Sequence, residues 1–229
     1  MPMGPVSDDN VNQYLRQTCE LYGDELYVEL GPSRSQGTQN KCQSDFASDL
    51  SAFNQQINRC HKCELGNSRT NFVFGVGDPN ASLVLVGEAP GEQEDLKGEP
   101  FVGRAGKLLD KILAAINRNR KKDVYICNVL KCRPPNNRDP LTSEVIECEP
   151  YLIHQINLIR PKLIVALGRV AGKTLLDVDN SLKSMREQLH DYHGTPLIVT
   201  YHPAALLRNP NWKPEAWKDF KWIRSIIDA

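Results

Sequence analysis

The sequence predicts an α/β protein: a three-layer α/β/α domain around a central, mostly parallel four-stranded sheet. Three observations carry that expectation. From residue 46 onward, short apolar runs alternate with amphipathic stretches of helical period. The runs 83–86 and 163–167 contain no polar residue, the mark of strands buried on both faces. The unusual residues cluster just after these runs, where parallel sheets bind ligands.

The elements follow in order. Residues 1–45 read as an N-terminal extension. A helix is expected over 12–30, with Leu15, Leu21 and Leu26 as its apolar points. A polar Gly/Pro/Ser-bearing linker over 31–45 follows, and the segment is expected to be mobile or loosely docked. The domain proper is expected over 46–229. It opens with a helix over 46–57 that runs into Cys60. Strands are expected at 83–86, 124–130, 163–167 and 197–201. Leu108, Leu109, Ile112, Leu113 and Ile116 form one helical face, and further helices are expected over 144–159, 170–176 and 215–227. The stretch from Gly168 to Thr174 imitates a phosphate-binding loop, but three residues separate its glycines where four are required. It reads as a strand-to-helix turn, and no nucleotide cofactor is expected.

The 229 residues are 40% hydrophobic, a globular composition. No apolar run is long enough to span a bilayer, and residues 1–10 lack the apolar stretch of a signal peptide. A cytoplasmic protein that does not engage membranes is expected. The 28 basic and 28 acidic residues cancel, which weighs against a non-specific nucleic-acid binder. A nucleic acid responds to the local face, however. Lys97, Arg104, Lys107, Lys131, Arg133, Arg138, Arg169 and Arg208 all fall near the motifs below.

Seven cysteines in a chain expected to be intracellular point away from disulfides. Cys60-His61-Lys62-Cys63 places two thiols where they can reach one metal, and Cys132 and Cys148 can complete four sulfur ligands. Such a set suits zinc or an iron–sulfur cluster, and spacing does not choose between them. The plainer alternative is a small redox motif beside two core cysteines, and His61 is a weaker alternative ligand. Cys127 alternates with Asn128 along a strand and is expected to pack away from the cleft, while Cys19 and Cys42 are expected to be free thiols.

Four motifs together resemble the family 4 uracil-DNA glycosylases, the thermostable iron–sulfur type. They are Gly87-Glu88-Ala89-Pro90-Gly91-Glu92-Gln93-Glu94-Asp95, Pro100-Phe101-Val102-Gly103-Arg104-Ala105-Gly106, the run from Asn128 to Arg138, and His202-Pro203-Ala204-Ala205-Leu206-Leu207-Arg208. The resemblance covers residues of about 46 to 228. It implies a [4Fe–4S] cluster on Cys60, Cys63, Cys132 and Cys148, structural and away from the chemistry. It implies an enzyme that excises uracil from single- or double-stranded DNA and leaves an abasic site for base excision repair; a monomer is expected, although nothing in the sequence speaks to oligomeric state. Ala89 stands where better-known relatives carry an aspartate, so the attacking water cannot rest on that carboxylate. The insertion of the covalent uracil-trapping branch is missing after Lys131-Cys132-Arg133, so ordinary hydrolysis is implied.

The resemblance also distributes roles. Gly87, Ala89 and Pro90 line the uracil pocket, Phe101 stacks on the flipped base, and Asn128 reads its edge. His202 supports the leaving group, and Glu88 orients or deprotonates water, with Glu94, Asp95 and Asn136 as alternatives. Leu206 is expected to wedge into the DNA and Arg208 to meet phosphate. Plainer readings exist: Asn128 as a structural strand residue, His202 as a buried cap, both leucines as core. The rival for the whole chain is a non-catalytic iron–sulfur DNA-binding or redox module on the same scaffold.

Overall fold

A computed structural model describes residues 46–229. The helix expected over 12–30, Cys19 and Cys42 lie outside the described residues. The chain runs through α1 (Leu50–Ile57), α2 (Leu65–Ser68), β1 (Val76–Gly77), β2 (Leu83–Gly87), α3 (Glu92–Lys97), α4 (Arg104–Ala115), β3 (Val124–Asn128), α5 (Thr142–Ile159), β4 (Leu163–Leu167), α6 (Arg169–Leu176), α7 (Leu182–Met185), β5 (His190–Tyr192), β6 (Thr195–Thr200), α8 (Pro203–Arg208) and α9 (Lys213–Asp228). No helix among the described residues is long and apolar enough to cross a membrane.

The sheet has six strands in the order β1-β3-β2-β4-β6-β5, not four. The expected strands form its parallel centre, with Gly87 opposite Asn128 and Leu85 opposite both Ile126 and Val165. The two strands not foreseen are short antiparallel edges, β1 on β3 and β5 on β6. β5 exists because the chain reverses at His193 and Gly194, whose φ values of 48° and 80° suit a two-residue hairpin turn.

Side chains alternate across the sheet. Leu83, Leu85, Val124, Ile126, Leu163, Val165 and Ile198 share a core with Leu109, Leu113 and Ile116 of the α4 segment and with Phe220, Ile223 and Ile227 of α9. Each such leucine or isoleucine contributes about 1.5–3 kcal/mol relative to exposure. On the opposite face Gln155 of α5 reaches Tyr125, and Gly172 of α6 lies against Val199. Leaving β2, the chain pairs β3 on one side and then β4 on the other. The loops beyond β2 and its neighbours therefore part, and a crevice opens over their carboxyl ends.

Candidate active site

The crevice is a cleft of about 720 Å³, lined from β2 by Glu88, Ala89 and Pro90, from β3 by Asn128, and from beyond β6 by Tyr201 and His202. Its floor depends on a glycine. A Cβ on Gly87 would stand 2.3 Å from Oδ1 of Asn128 and 2.9 Å from the Phe101 ring. Only hydrogen at this position lets those side chains close over the strand end. Asn128 is 2% exposed, and its side-chain amide makes no hydrogen bond with another described residue. The amide lines the cleft, where its oxygen can accept from a bound group and its nitrogen can donate to one.

Phe101 is held in an uncommon backbone conformation, with φ of 54°. Three neighbours over-determine it. Arg120 donates from Nη1 and Nη2 to the Phe101 carbonyl, each at 3.2 Å. Oε1 of Glu94 accepts from the amides of Val102 and Gly103 at 3.0 and 3.2 Å. Gly106 leaves room for the Phe101 carbonyl, which a Cβ there would meet at 1.7 Å. Local strain held in this way belongs to functional loops. The Phe101 ring faces the His202 imidazole at 5.4 Å between centroids, tilted by 31°.

His202 both caps α8 and lines the cleft. Its Nδ1 accepts from the Ala204 amide at 3.1 Å, so the neutral ring carries its proton on Nε2. The ring stays neutral because burial, and then the charge of Arg208, push its pKa down to about 4, against the pull of Glu94. Glu88 shifts the other way. Burial, reinforced by Asp139 and opposed by Arg169, pushes its carboxyl up to about 7.

The remaining candidates divide. Asp95 is turned from the cleft: its Oδ1 accepts from the amides of Thr70 and Asn71 at 2.9 and 3.2 Å, so it is a structural carboxylate. Glu94 reaches the cleft but spends Oε1 on the 101–103 loop. Asn136 is exposed outside the cleft, whereas its neighbour Asn137 lines it. Leu206, expected as the wedge, is 1% exposed and packs with Tyr201 and Ala216. Leu207 is the outward leucine, 36% exposed, and Arg208 lines the cleft mouth. Lys131, counted among the basic groups facing a ligand, is fully buried, with Nζ donating to the Asn128 carbonyl at 2.8 Å and to Gln155 at 2.6 Å. It braces the base of Asn128 from behind. Arg169, Asp139, Tyr201 and Trp212 also line the cleft; of these the sequence motifs single out only Arg169, as a nearby cation within the strand-to-helix turn after β4.

Away from the cleft, three segments bring four thiols into mutual influence. Charge on Cys63 and Cys60 acts on Cys132, and charge on Cys132 and Cys63 acts on Cys148. None is in a disulfide. Burial pushes Cys148 up to about 12, so a thiolate there needs positive charge beside it. Cys60 accepts from Tyr151 Oη at 3.2 Å, Cys132 from Arg69 Nη1 at 3.3 Å, and Cys148 from the Lys131 amide at 3.3 Å. His61 is engaged with Asn67 at 3.0 Å. Among the described residues no three Cys, His, Asp or Glu side chains form a single-ion metal site. Four thiols outside any disulfide are the donor type that iron–sulfur clusters take.

Comparison with known proteins agrees with this geometry. The profile of the uracil DNA glycosylase superfamily matches residues 74–221, a span that holds the whole cleft. The chain belongs to that superfamily. A protein of Archaeoglobus fulgidus is 48% identical over 180 residues, covering 75% of this chain and 90% of the relative. One of Sulfurisphaera tokodaii is 45% identical, with 77% and 84% covered, and one of Thermotoga maritima 46%, with 70% and 84%. All three are named type-4 uracil-DNA glycosylases, and this chain is a member of that type-4 family.

Proposed function

We propose that the protein is a monofunctional uracil-DNA glycosylase, which extrudes uracil from DNA, hydrolyses its N-glycosidic bond and leaves an abasic site as the first step of base excision repair. The observation that carries this reading is the unpartnered Asn128 amide, opening on the same cleft as the Phe101 ring and the Nε2–H of His202. The amide oxygen accepts from uracil N3–H and the amide nitrogen donates to O4. Cytosine presents the reverse pattern and is refused. Phe101 stacks on the base, and Gly87, Ala89 and Pro90 form the pocket edge around it.

Cleavage leaves negative charge on uracil O2 and a cationic sugar. His202 donates from Nε2 to O2, a bond that strengthens only as the charge develops. A neutral donor suits this task, since its Nε2–H is too weak an acid to be given up and stabilises the anion by hydrogen bonding alone. Glu88, with a pKa near working pH, accepts a proton from the attacking water as the new C–O bond forms. Arg208 meets backbone phosphate at the mouth. The wedge role passes from Leu206 to the exposed Leu207.

Cys60, Cys63, Cys132 and Cys148 would hold a [4Fe–4S] cluster. The cluster would supply a cross-link between the α1–α2 connection, the segment after β3 and α5, and takes no part in hydrolysis. The proposed enzyme acts on DNA inside the cell as a monomer. Release of free uracil from a labelled oligonucleotide by full-length protein tests the function. Absence of release from a folded, iron-loaded chain that still binds DNA would instead favour a non-catalytic binding module.

A further inference from the structure

Trp212 lines the cleft yet is 39% exposed, an unusual state for the largest apolar side chain at the rim of a polar site. It is not loose. The indole stacks on Tyr201 at 5.3 Å between centroids and 23° between planes. Arg186 stands over the Tyr201 ring at 4.4 Å, and its guanidinium is fixed by Asp219 through two bonds of 2.9 Å, Arg186 and Asp219 both being nearly fully buried. The Tyr201 hydroxyl donates to Glu215 at 2.6 Å. The protein therefore builds a cation–aromatic–aromatic stack from its interior to the rim. The indole stacks on Tyr201 and keeps part of its surface in the cleft, whose lining it shares with Arg208.

Resting on the reading of the cleft as a uracil site, we propose that Trp212 is a stacking platform for a base adjoining the extruded uracil, and that it serves single-stranded DNA. An indole face held in place takes any nucleobase without regard to sequence, while the neighbouring cation takes the backbone. In a duplex, the bases flanking the uracil stay paired and stacked on their neighbours, so they do not leave for the platform. In a single strand a flanking base has no partner to give up. The platform thus adds grip where the duplex offers its own order.

The test uses full-length protein and an oligonucleotide with one 2′-fluorinated deoxyuridine, whose glycosidic bond resists cleavage, as a single strand and annealed. Trp212→Ala weakens single-strand binding about tenfold and leaves duplex affinity within about twofold, on the scale of one lost base–aromatic stack. Trp212→Phe restores most of the loss, and binding of the single strand quenches fluorescence that the Phe variant lacks. Equal loss on both substrates at a lowered melting temperature means that Trp212 only covers Tyr201. That result, or unchanged single-strand affinity, overturns the proposal. Uracil release by the unaltered chain is measured separately, so a failed platform and a failed glycosylase assignment are read from different data.

Discussion

Phe101, Asn128 and His202 are each held from behind, whereas Leu207 and Arg208 stand on the surface a few residues from His202. The first group forms the wall of the cleft: Arg120, Glu94 and Gly106 fix Phe101, Lys131 braces the strand end at Asn128, and Ala204 fixes the His202 ring. The second group forms the rim and is partly solvated. The difference follows from what each must do. On the proposed mechanism the wall acts on charge that appears within one bond, so its groups must be set before the reaction. On the proposed reading, Leu207 and Arg208 meet DNA whose shape changes as a base leaves the stack, which solvated side chains can follow. Wall substitutions should therefore strike the rate of bond breaking, and rim substitutions should strike affinity or the choice of substrate.

The largest effect is expected at His202. His202→Ala should slow single-turnover uracil release by about 10²–10³ with little change in DNA affinity, since O2 gains charge only in the transition state. If the dissociation constant rose while the cleavage rate held, His202 would belong to the rim in function, and the comparison would break. Gly87→Ala comes next. The added methyl must displace Asn128 or Phe101, and a misplacement of this kind costs up to about 10² in rate. A crystal structure of Gly87→Ala with an unmoved Phe101 ring and full activity would refute the close-packed wall.

Glu88 tests the wall by pH. Its carboxyl is pushed up to about 7, and only the ionised form accepts a proton from water. The rate is therefore full above that value and falls as pH drops through it, about tenfold per unit on the acid side. His202 cannot set this limb, because its ring loses its proton already near 4. Single-turnover release measured from pH 5 to pH 9 should show the limb, and Glu88→Gln should abolish it at a lower rate. A limb that persists in Glu88→Gln assigns the titration elsewhere, with Asp139, whose charge acts on Glu88, the first candidate.

Much of the fold was readable because the parallel strands are uninterrupted apolar runs. The edges were not, since β1 has two residues and β5 is His190–Tyr192, neither of which carries a strand pattern. Adjacent site residues were harder still. Glu94 and Asp95 lie one step apart on α3, roughly a quarter-turn, so one faces the cleft and the other caps residues 70 and 71. Lys131 looked like a DNA contact because lysine is rarely buried, and its partners, a backbone carbonyl and Gln155, are remote from any local pattern. His-Pro at a strand end reads equally as a cap or an active group, and the two ring nitrogens of His202 let it be both.

The two leucines of α8 give the smallest effect and the sharpest contrast. Pro203 occupies the first turn of α8, which sets the helical phase: Leu206 points into the core with Tyr201 and Ala216, and Leu207 points outward. Leu206→Ala should lower stability by about 2–5 kcal/mol, as loss of a buried leucine does, and should affect single-stranded and duplex substrates alike. Leu207→Ala should lower the melting temperature less than Leu206→Ala, because more than a third of Leu207 already lies in solvent. On duplex DNA it should cost a few-fold in uracil release, and on single strands nothing, because only the duplex resists extrusion and gains from a filled gap. The ratio of duplex to single-strand rates, measured for both variants under single turnover, separates the two roles. A loss confined to duplex in Leu206→Ala, with Leu207→Ala silent, would mean that α8 rotates on meeting DNA and that the rim is less fixed than its packing in the free protein.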